Sequence, residues 1–177
     1  MNAGVLYYEG FANHEIIIAC HEFRKQNIIA IGVDTSAPVS TEKQRILTNT
    51  LLTETNPQDL DALIIPGGFT HLLYENRAVL DFIRSVAENG KIVGGICGAP
   101  YLMAKAGILS GRRCTGDFIK FDPKAPEYGF FSGSYVVDDD VVVDDNIVTA
   151  RGKAFVEFGL QLAKTAGIFP DETTYSE

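Results

Sequence analysis

Residues 91–109 read KIVGGICGAPYLMAKAGIL, and this stretch decides the fold. Lys91, Ile92 and Val93 begin a short apolar run of the kind a buried parallel strand gives, and residues 100–106 follow a helical pattern that Gly107 stops. The run Gly94, Gly95, Ile96, Cys97, Gly98, Ala99 joins the two and puts Cys97 on the bend. A side chain displayed on a tight strand-to-helix turn needs small neighbours, and Gly95, Gly98 and Ala99 supply them. The helix that follows would bring free N–H groups and the positive end of its dipole beside the sulfur, favouring thiolate over thiol and offering donors to a bound anion. Cys97 is therefore a candidate nucleophile. The plainer reading, a small residue packed where a glycine-rich turn meets a sheet, stands beside it.

Outward from this bend, strands and helices alternate. Residues 3–8 read as a strand, ended by Glu9 and Gly10. Asn13 is placed to cap a helix that carries Ile16, Ile17, Ala19, Cys20 and Phe23 on its apolar side and Glu15 in its first turn. Residues 28–33 give a second strand at the spacing of a parallel crossover. Residues 34–56 form a Ser/Thr-rich loop with short strands expected at Ile46, Leu47 and at Leu51, Leu52. Residues 62–65 are a buried strand running into Pro66, Gly67 and Gly68, a turn that lets backbone approach a neighbour or ligand closely. A helix over 73–88 stops at Gly90. Residues 113–115 read as a strand, followed by a loop through Asp122, Pro123, Ala125 and Pro126. Residues 141–143 and 147–149 flank a turn at Asp145 and Asn146, and the last helix covers 154–166. This pattern predicts a three-layer α/β fold, with functional residues gathered at the carboxyl ends of parallel strands. Glu15, the Gly67–Gly68 pair and Cys97 all fall at such ends.

A chain of 177 residues suits one domain, here residues 1–177 with 170–177 as a loose tail. Apolar residues at 46% and charged residues at 21% are those of a folded protein. A net charge of −8 argues against nucleic acid as a partner, because neutralising phosphates takes a basic surface. The three cysteines, Cys20, Cys97 and Cys114, have no CxxC spacing, so neither a disulfide framework nor a zinc site is indicated, and Cys20 and Cys114 read as core thiols. With no leader pattern in MNAGVLYYEG and no apolar run of ~18 residues, the expectation is a cytoplasmic protein without a membrane segment. His14 would point about 100° away from Glu15 around a helix and reads as a surface residue. His71, shortly after Gly68, is placed to reach a pocket there or simply to lead the next helix. Asp138, Asp139, Asp140, Asp144 and Asp145 lack the spacing of a calcium loop and read as solvated hairpin charges, so no metal is expected. Arg151 is either a charge partner of the site or one half of a strand-end salt bridge.

The segments GFANHEII around Glu15, IIPGG at 64–68, GGICGAP at 94–100, CTGDF at 114–118 and TARG at 149–152 together resemble the ThiJ/PfpI superfamily. That superfamily includes a parkinsonism-associated deglycase and the PfpI intracellular proteases. The resemblance implies a flavodoxin-like αβα sandwich of the class I glutamine amidotransferase kind, with a mostly parallel central sheet, assembled as a homodimer or larger. It makes Cys97 the nucleophilic, oxidation-prone cysteine and Glu15 its partner acid, and it puts Gly67, Gly68 and Gly98 at the oxyanion pocket. It implies a small aldehyde or glycated substrate and no metal or organic cofactor. The activities it implies are glutathione-independent glyoxalase or deglycase chemistry, or alternatively redox sensing or chaperoning through an oxidisable cysteine, or peptidase action. The usual histidine is missing: Gly98 follows the elbow cysteine, and Asp117 falls where other members carry the imidazole. Expelling a peptide amine needs a general acid such as imidazolium, so the departure weighs most against peptidase activity. Asp117 is then the candidate that replaces the imidazole in part, and one carboxyl of the Glu15 and Asp117 pair is expected to stay protonated beside the sulfur.

Overall fold

The computed structural model describes residues 1–117 and 126–168. The loop positions Asp122, Pro123 and Ala125, Phe118 of the CTGDF segment, and the tail at 170–177 lie outside the described residues. Nine strands are described: β1 (Asn2–Tyr7), β2 (Asn27–Gly32), β3 (Thr50–Leu51), β4 (Ala62–Ile65), β5 (Ile92–Ile96), β6 (Arg113–Cys114), β7 (Tyr135–Val136), β8 (Val141–Asp144) and β9 (Ile147–Ala150). Four α-helices accompany them: α1 (Ile17–Glu22), α2 (Arg77–Glu88), α3 (Ala99–Lys105) and α4 (Phe155–Thr165).

Seven strands form one sheet in the order β3-β2-β1-β4-β5-β9-β8, parallel throughout except for the β8–β9 hairpin. β6 and β7 pair separately as a small parallel ladder. Strands β1, β4 and β9 are buried almost from end to end, as continuous Val/Ile/Leu runs covered on both faces should be. Two adjacent glycines in β5 set the layer spacing. A Cβ on Gly94 would stand 2.7 Å from Leu162 of α4, and one on Gly95 would stand 2.3 Å from the Met103 sulfur of α3. Successive strand residues point to opposite faces, so α3 and α4 cover opposite sides of the sheet and both press directly on β5. The structure is thus the expected αβα sandwich.

Several local expectations are corrected. Asn13 does not cap a helix with its side chain: residues Asn13–Ile16 form a 3-10 turn, and the exposed N–H groups of Asn13 and His14 are met by the Glu42 carboxylate at 3.1 and 3.2 Å. A cap delivered from a distant loop leaves no local signal. The tighter 3-10 turn also shifts the helical phase, which turns Ile17 out to 52% exposure while Ile16, Ala19 and Phe23 stay buried. Ile46 and Leu47 are not strand, and Leu47 is 78% exposed. The helix expected from residue 73 begins at Arg77, where the Asn76 side chain accepts a hydrogen bond from the Val79 N–H, and Thr70–Leu73 is a 3-10 turn before it. No helix among the described residues is long and apolar enough to cross a membrane.

Candidate active site

The strand sequence reverses between β1 and β4, and a crevice opens there at the carboxyl ends of the strands. Cys97 stands at the end of β5 with φ 61, a left-handed conformation that a residue with a side chain adopts only under constraint. The constraint is visible on both sides: the Cys97 N–H donates to the Ala150 carbonyl at 2.9 Å, and its carbonyl accepts from the Asp117 N–H at 3.3 Å. The sulfur is thereby held at the mouth of the crevice.

Glu15 reaches the sulfur from the 3-10 turn after β1 and is almost fully buried. Its Oε2 accepts from the Gly67 N–H at 2.7 Å. The Tyr8 hydroxyl lies 2.8 and 2.7 Å from the carbonyl oxygens of Pro66 and Gly67, and the Ala12 N–H donates to the latter at 3.0 Å, so the turn that holds Glu15 is itself tied down. Asp117 approaches from the other side, with both carboxylate oxygens 3.3 Å from the Gly152 N–H. The thiol lies within hydrogen-bonding reach of both carboxyls. Two glycines leave room for this trio. A Cβ on Gly67 would lie 2.6 Å from the Cys97 Cβ and 2.7 Å from Glu15 Oε2; one on Gly152 would lie 2.9 Å from Asp117 Oδ2 and 3.2 Å from both Cys97 and Glu15.

The electrostatics differ from the expected low-pKa thiolate. Burial pushes the Cys97 thiol well above its ordinary range, and the charge and hydrogen bond of Glu15 and then of Asp117 push the same way. Burial also raises Glu15, and Asp117 adds to the rise; hydrogen bonds from Cys97 and Gly67 and the nearby His14 oppose it. A short helix dipole does not outweigh a dry site with two carboxyls. Burial and the neighbouring carboxyls thus favour thiol over thiolate at Cys97.

Beyond the sulfur lies a cavity of about 440 Å³ lined by Gly68, Thr70, His71, Tyr74, Cys97, Gly98, Tyr101, Asp117 and Glu127. His71 thus lines the cavity, yet among the described residues no histidine bonds to Cys97. The Gly67 N–H is spent on Glu15. Gly68 and Gly98 both line the cavity, and among the described residues neither N–H donates to a backbone carbonyl. Arg151 is occupied by Asp138 and by Asp140, the latter at 3.6 Å, which resolves it as an ion-paired residue behind the site. His14 sits outside with its Nδ1 2.6 Å from Glu42. Cys20 is half-buried against Tyr7, and Cys114 is fully buried. Among the described residues no cluster of three or more His, Cys, Asp or Glu could hold a metal ion.

Sequence reasoning passed over Tyr8, Thr70, Tyr74, Tyr101, Glu127 and Gly152. Gly152 stood inside a quoted motif, and Tyr101 lies in the first turn of the elbow helix, so both carried a positional signal. Glu127 follows an unpatterned loop and carried none.

A constrained cysteine one strand from the switch point of a doubly wound sheet, beside a buried carboxyl, defines the class of α/β proteins built on a cysteine nucleophile elbow. The chain belongs to the DJ-1/PfpI family, whose profile matches residues 1–165. It is 30% identical over 169 residues to the protein dj-1beta of Drosophila melanogaster, covering 92% of this chain and 88% of that one. The crystal structure of Drosophila DJ-1beta superposes with a TM-score of 0.79 over 94% of this chain and 90% of that one. Protein/nucleic acid deglycase 2 of Escherichia coli is 31% identical over 155 residues, 83% of this chain and 86% of its own. A two-domain protein of Anabaena variabilis, with DJ-1/ThiJ/PfpI-like and ferritin-like domains, shares the fold at a TM-score of 0.82 and 21% identity over 98% of this chain; the chain spans about half, 51%, of its length.

Proposed function

We propose that this chain is a cysteine-dependent enzyme of small reactive carbonyls, of the glutathione-independent glyoxalase or deglycase kind, working as a cytoplasmic homodimer. The pair of Cys97 and Glu15 beneath the cavity carries the reading. With methylglyoxal, the sulfur bonds to the aldehyde carbon while the thiol proton passes through Glu15 to the oxygen, giving a hemithioacetal. Glu15 then takes the proton from that carbon, and a proton returns to the neighbouring carbon, converting the adduct to a lactyl thioester. Water cleaves the thioester, releasing lactate and restoring the thiol. The oxidation of one carbon balances the reduction of the next. Gly68 and Gly98 supply N–H donors to the developing oxyanion. A raised thiol suits this sequence, because the proton leaving sulfur is the one the aldehyde oxygen needs. Peptide cleavage is poorly served, since the groups beside the thiol are carboxyls rather than imidazole.

The experiment is lactate formation from methylglyoxal without glutathione. Cys97→Ser is expected to abolish it, and Glu15→Gln to slow it by roughly 10²- to 10⁴-fold, the usual share of general acid–base catalysis. Equal rates in wild type and both variants would defeat the proposal. Selective gain of two oxygens at Cys97 under graded peroxide, without any lactate, would replace it with the redox-sensor reading.

A further inference from the structure

The turn that presents Glu15 is gripped from two sides. On the inner side the Ala12 N–H donates to the Gly67 carbonyl and the Phe69 N–H to the Gly10 carbonyl, both at 3.0 Å, which fixes the chain before Glu15 to the turn beside the sulfur. On the outer side lies a short hairpin closed by a bridge between Val39 and Arg45. Its tip is tight: Lys43 has φ 66, the Ser40 N–H donates to the Gln44 carbonyl at 2.8 Å, and the buried Ser40 hydroxyl accepts from the Gln44 N–H at 3.2 Å. The hairpin is tied to the exit of β1 by the Gly10 N–H on the Val39 carbonyl at 2.8 Å, the Thr41 N–H on the Phe11 carbonyl at 2.9 Å and the Asn13 amide on the Gln44 side chain at 2.9 Å.

What the tip delivers is the Glu42 carboxylate. Besides the N–H groups of Asn13 and His14, it meets His14 Nδ1 at 2.6 Å and accepts from the Thr41 hydroxyl at 3.1 Å. Desolvation works against its charge, but hydrogen bonds from the His14 ring, the His14 N–H and Ser40 outweigh it and hold the carboxyl well below its ordinary range. Bonds to an ionised acceptor are the strong ones. His14 is exposed, so water could satisfy its N–H; water would not fix where the next residue, Glu15, points. Glu15 has to meet the Gly67 N–H at 2.7 Å and the sulfur at once, and a displacement of about 1 Å is enough to spoil such a pairing. Around this pair, Asp117 acts on both the sulfur and Glu15, His14 acts on Glu15, and the Tyr8 hydroxyl faces both. We infer that Glu42 is the positioning residue of the Cys97–Glu15 pair: it holds the turn at Asn13 and His14 so that the Glu15 carboxyl stays against the sulfur. The inference rests on the reading of Glu15 as the partner of Cys97 and extends that site to a residue on a distant loop.

The test is the pH profile of Cys97 alkylation by iodoacetamide, read by mass spectrometry of the Cys97 peptide, in wild type, Glu42→Ala, Glu42→Gln, Glu15→Gln and the double variant Glu42→Ala with Glu15→Gln. Burial comes first in raising the thiol, and the charge and hydrogen bond of Glu15 come next, so loosening Glu15 should move the profile toward lower pH. Glu42→Ala is expected to move it that way, by no more than Glu15→Gln does. Glu42→Gln keeps the volume and one acceptor oxygen and should move it less; it takes the place of alanine in the double variant if the alanine chain fails to fold. With Glu15→Gln already present, the Glu42 substitution should move the profile no further, because a residue that acts through another does not add to it. A general loosening of the fold, or the field of the Glu42 charge at the sulfur, would add. Profiles unmoved in both Glu42 variants, or a double variant shifted by the sum of the single ones, overturn the inference. Non-additive shifts without any lactate formation overturn the carbonyl chemistry and leave Glu42 in its role; lactate formation with additive shifts does the reverse.

Discussion

Two acidic neighbourhoods in this molecule are built from the same kind of side chain and behave differently. On the β8 side, Asp138 pairs with Arg151, Asp139 with Arg113, Asp140 with Lys153 and Asp144 with Arg112. Around Cys97, Glu15 and Asp117 have no lysine or arginine bonded to them among the described residues; their partners are a thiol and the N–H groups of Gly67 and Gly152. The first group is spent on ion pairs at the surface. Glu15, taken out of water without a cation, is raised by that burial and has the sulfur as its neighbour.

Gly67→Ala should break the buried neighbourhood most severely. Its Cβ would press into Cys97 and Glu15, and overpacking of this kind costs about 1–3 kcal/mol, measurable as a lowered urea midpoint with unchanged slope. An unaltered midpoint would mean the trio has slack that the geometry denies. Removing charge without volume is a gentler probe. Asp117→Asn keeps an acceptor for Gly152 yet deletes one of the charges raising the thiol, so the pH profile of Cys97 alkylation should move toward lower pH; an unmoved profile would detach Asp117 from the sulfur. Glu15→Gln should move it the same way and also change stability. Because the folded-state pKa of Glu15 is raised, the folded state binds its proton more tightly than the unfolded chain does. Wild-type stability should therefore fall as pH rises from the ordinary glutamate range through the raised value, and the glutamine variant should lack that component of the slope in thermal melts. The smallest effect is expected on the other side: Asp139→Asn, whose partner Arg113 is more than half exposed like itself, should alter stability by under about 0.5 kcal/mol.

The contrast also explains what the sequence made legible. Cys97, Glu15 and the Pro66–Gly68 turn could be placed because each follows a strand whose apolar run is local and unmistakable. The glycines around Cys97 announced a tight bend, and φ 61 is that bend. Long-range effects were illegible. Glu42 supplies the helix start from 27 residues beyond Glu15, and Glu127 enters the cavity from across the β6–β7 region, with no periodicity to foretell either. The thiol's state was misread for a related reason: the dipole is a property of the adjoining helix, whereas burial is a property of the whole fold.

The bend at Cys97 has one more consequence, concerning how such a chain can change over generations. A left-handed backbone costs a residue with a side chain about 1–3 kcal/mol, and glycine is spared that cost. Heritable change governed by thermal endurance alone would therefore drift toward glycine at position 97 and erase the sulfur. Only a demand for the thiol opposes that drift, so at position 97 the preference of the scaffold and the presence of sulfur pull apart.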